Sequence, residues 1–434
     1  MKNQTPLHQE KLSKELREHT AGSGMNSARM SMKPTVMRLD LQTPAEVERC
    51  LASIPVDPAY RVPLISKCLF TTILIKNIDN RASNILKQEM LRVGGEACVS
   101  RNVSEFKQGQ SDLLCAATDR QYEDVLRKLA LQPYGLKNLC DEIKKVLSPS
   151  PAGMLRCKTH RLDYARQPVI MGILNITPDS FHDGGMFLDQ SKAIDRGMHM
   201  AEEGAAIIDV GGESTRPGAD YIDEDEEKKR IIPVIEALAK NNILVSVDTR
   251  KSSVARAALN CGASIVNDVS ALRDDSAMAA LIAETKAGVV LMHMRGPSRT
   301  MQVSPFYQDV TGEVFSFFRE RIDAACSAGI DSASIIIDPG IGFGKTLEHN
   351  SALIRHLRSL QSLMIPIMLG ASRKSMIEKA LKTSNDKSIP TTARLPGSLA
   401  LAVVGLVQGA RFFRVHDVSE TKQALTVAAA VWSS

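Results

Sequence analysis

The residues best placed to do chemistry follow a series of short apolar runs in the C-terminal two-thirds of this 434-residue chain. Each run stops at a polar, charged or glycine residue, and these stops are Asn175, Asp209, Asp248, Asn267, His293, Asp338, Gly370 and Arg414, with His416 just beyond. Carboxylates and carboxamides accept hydrogen bonds from N–H groups, whereas arginine and histidine can hold an anion. The set includes little that could serve as a nucleophile, so it indicates binding of a polar ligand together with an anion.

These positions fit one fold, because the chain between successive runs is each time long enough for a helix. Strand, polar end and helix repeated eight times is the pattern of a (β/α)₈ barrel, whose active site lies at the C-terminal ends of its strands. The predicted strands are Val169–Asn175, Ala206–Val210, Leu244–Asp248, Ser264–Asn267, Val289–His293, Ser334–Asp338, Pro366–Gly370 and Arg411–Val415. Ser252–Asn260 fits a short helix in the tightest gap, and Leu155–Tyr164 are expected to plug the bottom of the barrel. Residues 154–434 therefore form the predicted barrel domain.

A smaller α/β domain is predicted ahead of the barrel, over residues 38–147. Hydrophobic periodicity and β-branched residues predict its elements, which are strands at Cys68–Lys76, Glu96–Ser100 and Ser111–Thr118 and helices at Asn80–Val93 and Gln121–Leu131. Proline and glycine over residues 148–153 predict a linker. Residues 1–37 are polar and lack aromatic side chains, which predicts a disordered tail.

Composition narrows the class of protein. A net charge of +5 with 4% aromatic residues does not favour nucleic-acid binding, which calls for a clustered basic stripe with aromatic residues between the charges. The eight cysteines are scattered without Cys-x-x-Cys spacing, so we expect reduced thiols in a reducing compartment. No apolar stretch reaches the roughly 18–20 residues that span a bilayer, and the N-terminus lacks a signal-peptide core. We therefore expect a cytoplasmic protein.

Three segments at predicted strand ends have the composition of anion sites. Asp209–Gly218 places Arg216 beside hydroxyl groups in a turn, and a guanidinium fork matches phosphate or carboxylate geometry, although a solvated surface turn is the alternative. Gly370–Ser375 brings Ser, Arg and Lys to the start of a predicted helix, where backbone N–H groups favour negative charge. Arg414 and His416 share one face of the last strand by alternation, although His416 could instead be a structural histidine.

Glycine-containing loops follow the first and sixth predicted strands. Asn175–Gly185 suits either a mobile lid or a plain connection between strand and helix. Asp338–Thr346 nearly matches the phosphate-binding pattern G-x-x-x-x-G-K-[ST], but Pro339 stands where its first glycine should be. Because proline has no N–H for an anion nest, we reject a nucleotide-binding loop. We expect these glycines to let backbone approach a flat ligand, with Phe343 available for stacking.

Buried polar strand ends are costly unless a ligand or partner satisfies them, so the residues indicate a planar ligand rich in N–H donors, such as an aminopyrimidinone. At this point the motifs resemble those of the dihydropteroate synthases. The matching segments are Asn175–Phe181, Gly211–Gly218, Ser246–Thr249, Asn267–Ser270, Asp338–Lys345, Ser372–Ser375 and Arg414–Asp417. The resemblance extends over about Met154–Ser434, in order along the predicted strands, with no departure at the motif positions.

The resemblance implies condensation of 6-hydroxymethyl-7,8-dihydropterin pyrophosphate with p-aminobenzoate, which yields 7,8-dihydropteroate and pyrophosphate. It implies a pterin site formed by Asp248, Asn267, Asp338, Gly370 and Lys374. It implies a pyrophosphate site formed by Asn175, Thr215, Arg216, Arg414 and His416, with Asn175 acting through Mg²⁺. It implies that p-aminobenzoate is framed by Thr215, Pro217, Phe343, Lys374 and Ser375.

The mechanism implied by the family loses pyrophosphate first, and the weak aniline amine then attacks a cationic pterin methylene. Cations and Mg²⁺ would stabilise the departing anion. The residues that this mechanism makes catalytic are Asp209, Thr215, Arg216 and Lys374. The alternative is a pterin-binding methyltransferase, which shares the barrel but needs no pyrophosphate pocket, and a non-catalytic folate-binding protein is a more distant alternative.

The N-terminal domain looks like the extension that some prokaryotic dihydropteroate synthases carry. It shows no pterin pyrophosphokinase pattern, so we do not expect a bifunctional fusion. We expect it to dock subunits or to support the barrel. The resemblance also implies a homodimer formed through outer barrel helices, small-molecule substrates, and neither nucleic acid nor membrane as a partner.

Overall fold

The computed structural model describes residues 37, 41, 43–52, 54, 58–148, 153–176, 186–213, 222–297, 300–382 and 388–432. The chain divides into two compact units, of which the first comprises Met1–Phe70 with Thr118–Arg120 and the second comprises Thr71–Ala117 with Gln121–Ser434. Helices α1 (Pro44–Ala52) and α2 (Pro58–Cys68) belong to the first unit. The predicted disordered tail, apart from Met37, and most of the predicted linker lie outside the described residues.

A small three-stranded sheet with strand order β1-β3-β2 precedes the barrel. Its strands are β1 (Phe70–Asp79), β2 (Glu96–Val99) and β3 (Gln110–Thr118), and the helices around it are α3 (Asn80–Arg92), α4 (Arg101–Ser104), α5 (Asp119–Leu129) and α6 (Leu136–Leu147). Leu86, Met90 and Leu113 are buried in the core shared by this sheet and its helices. The five elements predicted here are confirmed to within a few residues, whereas α1, α2, α4 and α6 were not predicted.

Eight parallel strands form a second sheet. They are β6 (Val169–Asn175), β7 (Ile207–Gly211), β8 (Val245–Asp248), β9 (Ile265–Asp268), β10 (Gly288–Met292), β11 (Ile335–Asp338), β12 (Met368–Leu369) and β13 (Phe412–Val415). Their order in the sheet is β11-β10-β9-β8-β7-β6-β13-β12, and a bridge between Ile337 and Ile367 connects the two ends and closes the barrel. The helices are α7 (Met186–Glu203), α8 (Glu224–Lys240), α9 (Ser252–Asn260), α10 (Met278–Thr285), α11 (Val310–Ser327), α12 (Leu347–Arg355), α13 (Ser375–Leu381), α14 (Leu395–Val407) and α15 (Val418–Trp432). The predicted (β/α)₈ barrel is confirmed, and the short helix predicted at Ser252–Asn260 is present with the same bounds.

A β-hairpin closes the N-terminal end of the barrel, as the sequence predicted. Its strands are β4 (Met154–Cys157) and β5 (His160–Asp163). Leu155, Cys157 and Tyr164 pack into one buried cluster with apolar residues from the barrel strands, such as Phe412. Because apolar side chains fill this end, polar ligands have access only to the opposite end, where the strands finish.

Residues of the small sheet and its helices contact the barrel within the second unit. The Lys76 ammonium on β1 pairs with the carboxylate of Asp309, which also caps α11 by accepting from the Gly312 N–H. Arg319 Nη2 on α11 lies 3.6 Å from Glu142 Oε2 on α6. In the part of the chain that the structure describes, no helix is long and apolar enough to cross a membrane.

Candidate active site

Four of the predicted polar residues meet at the C-terminal end of the barrel. Asp209 on β7, Asp248 at the end of β8, Asn267 on β9 and Asp338 at the end of β11 are all buried, with at most 4% of each residue exposed. Parallel neighbouring strands finish at one edge of a sheet, and therefore residues far apart in sequence come together there. Asn175, at the end of β6, is half-buried and lies in register with Gly211 on the neighbouring strand.

Arg414 joins this group of carboxylates. Its Nε donates to Asp209 Oδ2 over 2.6 Å, and its Nη2 donates to Asp248 Oδ2 over 2.7 Å. Asn267 Nδ2 donates to the same Asp209 oxygen over 2.9 Å. The structure thus places Arg414, which the resemblance assigned to pyrophosphate, in direct contact with Asp248, which it assigned to the pterin, and with Asp209, which it made catalytic.

Each of the two carboxylates keeps one buried oxygen that the described residues do not satisfy. Asp209 Oδ1 and Asp248 Oδ1 have no hydrogen-bond partner among these residues, and neither does the buried hydroxyl of Ser246 on β8. Desolvated acceptors without a donor cost free energy, so these atoms indicate a ligand that brings N–H groups. Ser246 was not among the predicted site residues, although alternation along the strand puts it on the same face as Asp248.

Burial and charge set the protonation of the group. Burial raises the pKa of Asp248 to about 7, although the Arg414 guanidinium opposes the shift. Burial also raises the pKa of Asp338, against the lowering effect of the Gly340 N–H and of nearby cations. For Arg414, burial opposes the charge, but Asp209 and Asp248 outweigh it and raise its pKa above the ordinary value. Arg414 therefore carries a permanent positive charge, whereas Asp248 can exchange a proton near neutral pH.

Asp338 and Gly370 face each other across the gap between β11 and β12. Asp338 Oδ1 accepts the Gly340 N–H over 2.7 Å. A Cβ atom on Gly370 would lie 3.1 Å from Asp338 Oδ2, which is closer than most side-chain contacts. Glycine at position 370 thus keeps the space beside this carboxylate oxygen open.

The segment that leads into α13 brings together further predicted residues. Lys374 is the residue before α13, and its Nζ lies 4.1 Å from the centroid of the Phe343 ring, while Ser375 is the first residue of the helix. His416 Nδ1 and Ser372 Oγ are 3.1 Å apart. Arg373, which the sequence grouped with the anion-binding residues, instead donates from Nε to Asp417 Oδ2 over 3.0 Å. Within this segment, then, the cation that lies beside Phe343 is Lys374.

Three predicted residues, Thr215, Arg216 and Pro217, lie outside the described residues, as does most of the loop predicted at Asn175–Gly185. The residues on either side of Thr215–Pro217 that the structure describes are firmly held. Lys251 Nζ contacts Glu213 Oε2 at 3.0 Å and the Ile222 carbonyl at 2.7 Å.

The loop that nearly matches a phosphate-binding sequence has another structure. The Lys345 ammonium is buried and donates to the carbonyl oxygens of Gly340 and Phe343, each over 3.0 Å. Because this ammonium is buried and donates to backbone carbonyls, it is not placed to bind the phosphates of a nucleotide. The structure therefore agrees with the rejection of a nucleotide-binding loop.

Comparison with known proteins shows the family to which this chain belongs. A family profile described as pterin binding enzyme matches residues 171–416. The dihydropteroate synthase of Escherichia coli (strain K12) is 46% identical over 268 residues, which cover 62% of this chain and 93% of the relative. The probable bifunctional folylpolyglutamate synthase/dihydropteroate synthase of Haloferax volcanii is 38% identical over 369 residues, covering 81% of this chain but 42% of that protein. The latter match is too long to be confined to the barrel.

A solved structure agrees with these relatives. The dihydropteroate synthase of Xanthomonas albilineans in complex with 7,8-dihydropteroate superimposes with a TM-score of 0.57 at 40% identity, covering 65% of this chain and 99% of that one. The covered share of this chain corresponds in extent to the barrel domain. Because the family profile alone matches more than half of its residues, the chain belongs to the pterin-binding enzyme family, in which these relatives are dihydropteroate synthases.

Proposed function

We propose that this protein is a dihydropteroate synthase, which condenses 6-hydroxymethyl-7,8-dihydropterin pyrophosphate with p-aminobenzoate to give 7,8-dihydropteroate and pyrophosphate. The observation that carries the proposal is the pair of buried oxygens, Asp209 Oδ1 and Asp248 Oδ1, that lack a partner among the described residues. A reduced pterin presents several ring and amino N–H groups on one flat edge. Such a ligand would supply the missing donors at the polar, C-terminal end of the barrel.

The pterin ring is held by Asp248, Asn267, Asp338, Gly370 and Lys374. The three buried polar side chains of this set lie toward the C-terminal ends of β8, β9 and β11, on the same end of the barrel, which supports one shared ligand. Asp338 has one oxygen occupied by Gly340 and a second facing Gly370, where the lack of a Cβ leaves room for a ring. The negative charge of Asp209, which is buried on β7, would stabilise positive charge that develops on the pterin methylene.

The reaction breaks the C–O bond between the pterin methylene and pyrophosphate, and the bonding electron pair leaves with pyrophosphate. The aniline nitrogen then forms the new C–N bond and loses a proton. Stabilising the leaving anion falls to Asn175, Thr215, Arg216, Arg414 and His416. The contact between Ser372 Oγ and His416 Nδ1 supports this role, because it orients the imidazole ring at the rim of the barrel. Thr215 and Arg216 are assigned from the resemblance and their chemistry.

Mg²⁺ fits the donor chemistry of this rim, with Asn175 as its protein ligand. Asn175 offers a hard carboxamide oxygen at the end of β6 and is half-buried. A single protein ligand is compatible with Mg²⁺, because this ion commonly takes its other ligands from phosphate oxygens and water. Bound there, Mg²⁺ would neutralise negative charge on the pyrophosphate.

p-Aminobenzoate is framed by Thr215, Pro217, Phe343, Lys374 and Ser375. The position of Lys374 Nζ over the Phe343 ring, 4.1 Å from its centroid, supports a shared role for the two residues. The ring would pack against the aromatic substrate while the ammonium attracts its carboxylate. The backbone N–H groups at Ser375, where α13 begins, carry partial positive charge and would also attract this carboxylate.

The function is tested by pyrophosphate release from purified protein supplied with the dihydropterin pyrophosphate and Mg²⁺, with and without p-aminobenzoate. We expect release that depends on p-aminobenzoate, with dihydropteroate formed in equal amount. Absence of release under both conditions would contradict the proposal, and methyl-tetrahydrofolate would then be tried as a ligand for the methyltransferase alternative.

The proposal includes a homodimer formed through outer barrel helices. Helices α14 and α15 expose Val404, Val427, Val431 and Trp432, each at least 43% accessible, on elements that pack together. Light scattering after size exclusion should give twice the chain mass of 47.3 kDa. Val427→Glu should shift the mass toward one chain, with Val303→Glu as a control at an exposed valine outside these helices.

We assign residues 38–147 to a domain that supports the barrel, and the protein to the cytoplasm. The ion pairs of Lys76 with Asp309 and of Arg319 with Glu142 support the first assignment. All eight cysteines are free thiols, which is typical of a reducing compartment. Lys76→Ala should lower the melting temperature of the protein, and an unchanged melting temperature would contradict the first assignment. Cell fractionation tests the second assignment.

A further inference from the structure

Lys345 lies at the centre of a buried junction between two loops of the barrel. About 1% of the residue is exposed. Its Nζ donates to the carbonyl oxygens of Gly340 and Phe343 over 3.0 Å and lies 3.3 Å from that of His293. It also lies 2.9 Å from Nδ1 of His293. One ammonium therefore ties the loop after β11 to the residue that follows β10.

The two loops touch at backbone level, so a small change at this junction has little room to relax. Gly340 and Gly344 have positive φ values of 65° and 63°. A Cβ atom at Gly340 would overlap the His293 carbonyl oxygen, and one at Gly344 would overlap that of Arg295. The Tyr307 hydroxyl donates to the Gly344 carbonyl over 3.0 Å, which adds a second tether to the same loop.

The position is energetically demanding for a lysine. Burial lowers the pKa of Lys345 to about 7, although the Asp338 carboxylate favours its charge and Lys374 opposes it. Burial and the charge of Lys345 lower the pKa of His293 to about 2, so its imidazole is neutral and can offer a lone pair to the ammonium. A lysine ammonium has three N–H donors, so the four acceptors around Lys345 Nζ are enough to satisfy all of them in the interior.

The carbonyl of Phe343 connects this junction to the active site. Phe343 is buried, with 7% of the residue exposed, and belongs to one apolar cluster with Met292, Met294 and Met301. Lys374 Nζ lies 4.1 Å above the same ring. The ammonium of Lys345 thus fixes the backbone of Phe343, and Phe343 in turn supports the side chain of Lys374.

We propose that Lys345 is a positioning residue for the condensation, which holds Phe343 beneath Lys374 so that p-aminobenzoate is framed in the reactive orientation. This inference rests on the proposed function, because that function gives Phe343 and Lys374 their substrate. Lys345 itself touches no reacting atom. Misplacement of a framing group by about 1 Å can cost up to about a hundredfold in rate.

The test compares Lys345→Met, which keeps the length but removes the donors, with the wild type and with Tyr307→Phe. Tyr307→Phe is a matched control, since it removes the other tether of the loop without touching the Phe343 carbonyl. Each protein is titrated with the pterin substrate to count active sites, and kcat, KM for p-aminobenzoate and the melting temperature are measured. Lys345→Gln, which keeps an N–H donor, serves as a second variant under the same criteria.

We expect kcat/KM for p-aminobenzoate to fall by about tenfold or more per titrated site in Lys345→Met, with a smaller fall in Lys345→Gln. Tyr307→Phe should lower the melting temperature and leave this KM near the wild-type value. In a Phe343→Leu background the effect of Lys345→Met on KM should largely disappear, because both changes act through one ring. Lower melting temperature with unchanged KM and kcat per site, or effects additive with Phe343→Leu, would overturn the inference. Inactive wild-type protein would instead contradict the proposed function.

Discussion

Arg414 Nε donates a hydrogen bond to Asp209 Oδ2 over 2.6 Å, and this contact spans from the last strand of the barrel to the second. The same guanidinium contacts Asp248 on the third strand. One cation therefore faces two buried carboxylates, each of which keeps an oxygen without a partner among the described residues. This arrangement suits a ligand rich in N–H donors and a reaction in which positive charge develops on the ligand.

Arg414→Met should lower the free energy of unfolding by about 3–5 kcal/mol, because it leaves two buried carboxylates without their counter-ion. Urea unfolding at pH 7 measures the loss. Arg411→Met is the matched control near the start of the same strand, since the Arg411 guanidinium contacts the Ala410 carbonyl at 3.3 Å. We expect the control to cost about 1 kcal/mol. Equal losses in the two variants would contradict the role given to the ion pairs.

Pterin binding should weaken as pH falls through about 7, the pKa to which burial raises Asp248. A raised carboxyl pKa means that protonation occurs on the acid side of this value, and the protonated oxygen no longer accepts from a pterin N–H. Below about 7 the Kd should rise by up to about tenfold per pH unit. Calorimetric titration with a pterin that lacks the pyrophosphate, at pH 6, 7 and 8, measures the effect.

The same pKa shift predicts a change in stability of the opposite sign. Between the ordinary value of 3.8 and about 7 the folded protein binds a proton that the unfolded chain does not. The contribution of Asp248 to stability is therefore lost as pH rises through this interval.

Asp248→Asn should bind pterin weakly and remove the pH dependence of binding. A flat affinity in the wild type, or an unchanged slope in Asp248→Asn, would refute the assignment.

Arg216→Ala should lower turnover by about a hundredfold or more, on the scale of losing one electrostatic contact to a transition state. Pyrophosphate release at saturating substrates measures kcat. Arg216→Lys keeps the charge but lacks the planar fork, so an intermediate rate is expected. Affinity for a pterin without pyrophosphate should be unchanged in both variants. Near-normal turnover in Arg216→Ala would remove this residue from the reaction.

Gly344→Ala should destabilise the barrel more than Gly342→Ala, although both glycines have positive φ values, 63° and 84°. A Cβ at Gly342 would make an ordinary contact 3.5 Å from Lys374 Cδ, whereas one at Gly344 would overlap the Arg295 carbonyl. The backbone strain alone costs about 1–2 kcal/mol, and the overlap adds to it at position 344. Denaturant unfolding of the two variants measures the difference, and similar midpoints would show that the loops are not in close contact.

Strand ends could be predicted because they depend on local pattern. An apolar run followed by Asp209, Asp248, Asn267 or Asp338 marks both a strand and its polar end. Parallel strands bring such ends to one edge of the sheet, so the sequence pattern by itself predicts where the site lies. The short helix at Ser252–Asn260 and the elements of the small sheet followed from hydrophobic periodicity in the same way. Helix α6, although amphipathic, was not predicted.

The partners of these residues were decided by the tertiary structure. Arg414 lies 205 residues from Asp209 and 166 from Asp248 in the chain, and no local pattern links them. Arg373 and Lys374 are adjacent in sequence, yet one turns to Asp417 and the other to Phe343, since Arg373 has a positive φ of 56°. Sequence periodicity determines which face a residue occupies, but closure of the barrel determines which charges share the low-dielectric space inside it, and that sharing sets their pairing and pKa values.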